Sequence, residues 1–64
     1  MMLETAAITH ALQGDEKWAK QLAYYLSFTL KMTYEQGLRH LQTHQPSLTR
    51  DQYEEIMQLA DYAN

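Results

Sequence analysis

The sequence predicts an all-α protein, a compact bundle of about four short helices in a single domain spanning residues 1–64. Three observations predict it. Leu, Ala, Met, Gln and Glu dominate, valine is absent and isoleucine occurs only twice, which is the composition of strong helix formers. Apolar residues recur at spacings of three and four, and no segment outside short cap-like stretches alternates apolar and polar as a half-buried strand does. Gly14 and Pro46 punctuate the chain between the periodic segments.

The first helix is expected over Leu3 to Gln13. At 100° per residue Leu3, Ala7, Ile8, Ala11 and Leu12 fall on one half of its wheel. Gly14 then supplies the left-handed residue that ends a helix, and Asp15 can cap the next one. The second helix is expected from Glu16 to Met32, with Trp18, Ala19, Leu22, Ala23, Tyr25, Leu26, Leu30 and Met32 spanning its apolar half. Its acidic start at Asp15 and Glu16 and its late Lys31 both suit the helix dipole.

A third helix is expected from Tyr34 to Thr43. Were it a continuation of the second, Tyr34, Leu38 and Leu41 would fall off the centre of the earlier apolar face. Thr33 with Gln36 forms a capping box, and a break near Thr33 restores the phase. Gly37 sits inside this helix. Pro46 is expected to push His44 and Gln45 out of it, leaving His44 to Ser47 as a loop. Thr49 with Gln52 repeats the capping box, and Leu48 can staple onto Tyr53. The fourth helix is expected from Arg50 to Tyr62. Tyr53, Ile56, Met57, Leu59, Ala60 and Ala63 face inward, while Asp51, Glu54, Glu55, Gln58 and Asp61 face outward. The stretches Met32–Gln36 and Leu48–Gln52 echo each other sixteen residues apart. Two helices that start with the same capping chemistry converge on that pattern without duplication.

Size and charge exclude several classes. Apolar burial in a chain of 64 residues yields roughly 98 kcal/mol against roughly 96 kcal/mol for ordering it, so a lone subunit is marginal. With no cysteine, neither a disulfide nor a thiolate metal site can close that gap, and a homodimer is the expected device. No run approaches the ~18 apolar residues of a membrane span. The start lacks the basic and apolar regions of a signal peptide, so a cytoplasmic protein is expected. The net charge of −3 disfavours nucleic acid, whose phosphates call for a basic surface.

The second helix carries the most informative constellation. Its polar half holds Lys17, Lys20 and Lys31, with Tyr24 and Phe28 between them. The two rings are four residues apart and share a face. An exposed phenylalanine on a helix that already has a full apolar half needs a reason. Three readings stand: Tyr24 and Phe28 are covered by another helix of the same subunit or of a dimer mate, all five residues form a contact face for a protein partner, for which cationic and aromatic residues make a common anchor, or the two rings are simply exposed.

Other constellations point less far. His40 and His44 have metal-compatible i, i+4 spacing, but there is no His-Glu-x-x-His pattern and only His10 remains as a further histidine, so no metal is expected. Asp51, Glu54, Glu55 and Asp61 on one amphipathic helix read as a solvated face rather than as paired catalytic carboxylates across a cleft. They could also steer the lysine face of a sister subunit. No nucleophile elbow and no glycine-rich phosphate loop is present. The expectation is therefore not an enzyme, with no cofactor, but a protein-binding regulator, an inhibitor or adaptor that occupies a partner surface. Two alternatives stand beside it. One is a helix-turn-helix formed by the last two helices, presenting Arg50, Gln52 and Asn64 to bases, against which its acidic outer face argues. The other is a structural subunit of a larger helical assembly.

Overall fold

The four helices follow from four local stop and start signals. The computed structural model describes the backbone of residues 3–61 and the side chains of residues 5–61. The inward assignments of Leu3 and Ala63 and the base-reading role of Asn64 lie outside the described residues. Among the described residues the elements are α1 (Leu3–Leu12), α2 (Glu16–Tyr24) with a π-helical extension (Tyr25–Thr29), α3 (Tyr34–His44) and α4 (Arg50–Leu59).

α1 ends one residue before Gln13 in a Schellman turn. Gly14 lies at φ +91°. Its N–H donates to Ala11 O at 3.0 Å and the Asp15 N–H to His10 O at 3.2 Å, satisfying two orphan carbonyls. Asp15 then caps α2, accepting from the N–H groups of Lys17 (3.1 Å) and Trp18 (3.3 Å).

The second helix departs from its expected course. After Tyr24 the backbone widens into a π turn, where the Leu30 N–H donates to Tyr25 O, five residues back, at 3.0 Å. The Ser27 hydroxyl donates to Ala23 O at 2.9 Å, a side-chain bond that competes with the regular ladder. Lys31 then adopts a left-handed conformation, φ 54°, and the Met32 N–H closes back onto Leu26 O at 2.9 Å. Helical structure thus stops at Thr29 and not at Met32, and Lys31 stands outside the helix it was expected to share with Tyr24 and Phe28.

The break near Thr33 is present. Both capping boxes form reciprocally: Thr33 N–H to Gln36 Oε1 at 2.9 Å and Gln36 N–H to Thr33 Oγ1 at 3.2 Å, then Thr49 N–H to Gln52 Oε1 at 3.0 Å and Gln52 N–H to Thr49 Oγ1 at 3.1 Å. α3 runs one residue further than expected, through His44, because proline restricts only the residue directly before it; Gln45 leaves the helix at φ −137°, ψ 82°. α4 ends at Leu59 and not at Tyr62 as expected, because Asp61 turns left-handed at φ 57°, which a right-handed helix cannot continue through.

α1 packs against α2, α3 and α4, α2 also packs against α4, and the π turn packs against α3. Ile8, Leu41, Tyr53, Ile56 and Met57 are the largest fully buried side chains, joined by Leu22, Leu26, Leu38 and Leu48. Leu48 and Tyr53 share this core, as the staple requires. The Cα radius of gyration is 10.1 Å, slightly under the value of about 10.7 Å for a packed chain of this length. Leu12, expected inside, is 37 % exposed; it borders an open groove between α1 and α4.

Gly37 explains itself in three dimensions. A Cβ there would stand 2.7 Å from the phenolic oxygen of Tyr53 and 3.3 Å from Leu26 Cδ1. That phenol is fixed in place by donating to Tyr34 O at 2.7 Å. The starts of α3 and α4 are tied a second time by Glu35 and Arg50, whose two hydrogen bonds both measure 2.7 Å.

Candidate functional site

Tyr24 and Phe28 form the exposed centre of the predicted contact face. Their ring centroids are 4.4 Å apart with planes inclined at 30°, and each side chain is 63 % exposed. The expectation that another helix of the same chain covers them is overturned. α1 and α4 pack on α2, which buries Ala19, Leu22 and Ala23, and α3 packs on the π turn, which buries Leu26. The aromatic pair is left on the opposite side.

The structure unites part of the predicted five-residue group. Lys17 and Lys20 are exposed on α2. Lys20 lies 4.0 Å from Glu16, and both side chains are more than half exposed, so this helical pair is worth only about 0.3–0.5 kcal/mol. Lys31 is exposed but belongs to the exit turn.

A feature the sequence reading missed adjoins the pair. An open groove of about 470 Å³ runs between α1 and α2, lined by Ala7, Trp18, Lys20, Leu22, Tyr24 and Tyr25 among others. Most of its exposed lining is carbon, and Lys20 is its one charged residue among those described. Trp18 is half-buried there and stacks on His10 at 5.0 Å with an interplanar angle of 18°. The only sequence signal for the groove was Ala7 on α1, a small residue that leaves the space beside α2 unfilled.

The remaining constellations are arranged as follows. His40 and His44 meet edge to face at 5.0 Å. No group of three or more His, Cys, Asp or Glu side chains placed to hold a metal occurs among the described residues. Among the same residues no helix is long and apolar enough to cross a membrane. Arg50 is engaged by Glu35, whose carboxyl is held below the usual carboxylate range first by that hydrogen bond and then by the charges of Arg50 and Arg39, against an opposing desolvation effect. Burial is the largest cause of the raised pKa of the Tyr34 phenol, followed by the charge of Glu54. Asp51, Glu55 and Asp61 are exposed on and beyond α4.

No family model, curated protein or solved structure matches the chain.

Proposed function

We propose that this protein is a non-catalytic protein-binding module, an inhibitor or adaptor that acts by occupying a partner's surface in a cytoplasmic setting. The observation that carries the reading is the stacked Tyr24–Phe28 pair, left 63 % exposed where the other large hydrophobics among the described residues, Leu12 apart, are at least partly covered. Water-exposed aromatic surface beside cations is the composition of interface anchors. Lys17, Lys20 and Lys31 supply the rim and Tyr24 and Phe28 the anchor.

A second copy of the chain competes for the same face, as the marginal single-chain energetics suggest. The closure of the core within one chain favours a different protein. Nucleic acid is disfavoured because Arg50 is tied to Glu35 and the outer face of α4 is acidic.

The test uses the tagged full chain, captured from its own host, beside Phe28→Glu. Light scattering measures the mass of both in parallel. The expected result is a stoichiometric partner held by the wild type and lost from a folded Phe28→Glu. Retention of the partner by that variant refutes the reading, and a wild-type dimer dissolved by Phe28→Glu replaces the partner with a twin.

A further inference from the structure

The aromatic pair is only half of the surface, because the groove beside it has a shape and a charge of its own. Its lining on α2 and the π turn runs from Trp18 to Thr29, which at 1.5 Å per residue is about 16 Å, or about three helical turns. Ala7 of α1 forms the opposite wall. A long, open, carbon-lined channel between two helices suits an amphipathic helix laid in it apolar face down. Among the described residues Lys20 contributes the only charge in the lining, and Lys17 stands one turn before it on the same helix, so an incoming helix meets positive charge at that edge. Glu16 is the one acidic side chain paired there, at 4.0 Å and largely exposed, and a partner carboxylate can displace it at little cost. The second groove, between α1 and α4, contrasts with this one: its one charged lining residue is Glu55.

We infer that the α1–α2 groove takes an acidic amphipathic helix of a partner protein, about three turns long, whose apolar stripe packs on Trp18, Tyr24 and Tyr25 while its carboxylates meet Lys17 and Lys20. This rests on the docking reading above and adds the partner's secondary structure and sign of charge. The stripe supplies affinity, and the lysines supply orientation and discrimination between acidic and basic helices.

Trp18 is the only tryptophan and lines the groove, so its emission reports occupancy directly. The experiment titrates the full chain, at fixed pH, with two synthetic helical peptides lacking Trp and Tyr. They share one Leu/Met stripe and differ only in flanking Glu or flanking Lys. The expected result is a saturable blue shift with the Glu peptide that weakens as salt is raised, and little shift with the Lys peptide. Lys20→Glu should weaken the Glu peptide about tenfold and improve the Lys peptide. Lys20→Gln, with far-UV circular dichroism to confirm folding, should fall between.

Equal binding of both peptides, or preference for the Lys peptide, overturns the acidic assignment and leaves the docking face standing. A shift produced by anionic lipid vesicles but by neither peptide overturns it in favour of a membrane surface. A shift that grows with the protein's own concentration overturns it in favour of a second copy. Absence of any saturable shift overturns it too, and the docking face is then judged separately by partner capture with Phe28→Glu.

Discussion

Replacing Gly37 by alanine should destabilise this protein although it improves helix propensity. In an unobstructed helix interior the change gains about 1 kcal/mol. Here the new Cβ would lie 2.7 Å from the Tyr53 phenolic oxygen, 3.3 Å from Leu26 Cδ1 and 3.7 Å from Tyr53 Cζ. The last two are tight and ordinary contacts; the first is not tolerable. Tyr53 is 1 % exposed, so its ring has nowhere to retreat. Overpacking of this kind costs about 1–3 kcal/mol, and pushing the phenol off Tyr34 O forfeits about 1 kcal/mol more. The net loss is about 1–3 kcal/mol, a fall in Tm of about 5–20 °C for a domain of this size. Tyr53→Phe alone should cost about 1 kcal/mol through the lost hydrogen bond. In the Tyr53→Phe background the obstructing oxygen is gone, and Gly37→Ala should become neutral or mildly stabilising. Urea unfolding of the four proteins, followed at 222 nm, gives a coupling of about 2 kcal/mol if the contact is responsible. A stabilised Gly37→Ala single variant, or additive effects, refutes the assignment of Gly37 to the Tyr53 contact.

Three further outcomes test other parts of the fold. Asp15→Ala removes the acceptor for the Lys17 and Trp18 amides and should cost about 1 kcal/mol in urea unfolding, with Asp15→Ser restoring most of it. Lys31→Gly relieves a left-handed lysine at φ 54° and should change stability between neutral and about +1 kcal/mol; a clear loss would show that the lysine side chain itself holds the turn. Glu35 has a depressed pKa, so the stability its charge contributes is present above its ordinary value of 4.5 and is lost as pH falls through the lower folded value. Thermal unfolding of wild type and Glu35→Gln should therefore differ at neutral pH and converge on acidification well below 4.5; a difference that persists in acid would refute an ionic origin.

Every helix start among α2, α3 and α4 was legible in the sequence because its cap is local. Asp15, Thr33 and Thr49 each act on amides within three residues, and Gly14 acts on carbonyls no further than five residues away. The exit of the second helix was not legible. Its π turn and the left-handed Lys31 break the 100° wheel, which had assigned Lys31 to the same face as Tyr24. The reason for Gly37 lay sixteen positions along the chain at Tyr53, and the Glu35–Arg50 tie spans fifteen. Helical periodicity has no access to such partners. The Tyr24–Phe28 ring pair was legible, since spacing by four fixes their stack. Their exposure depended on where α1, α3 and α4 came to rest, and the groove depended on how closely α1 approaches α2.

The turn at Gly14 has a chemical consequence of its own. A Cβ added there would meet nothing within 4 Å, so the position rejects ordinary side chains for their handedness and not for their bulk. A D-alanine introduced at position 14 by total synthesis should sit without strain, because its mirror-image stereochemistry makes φ +91° a favoured angle. It should raise stability by about 0.4–1 kcal/mol by narrowing the unfolded chain's choices, where L-alanine at the same place lowers it. The link between the first two helices therefore selects for chirality alone.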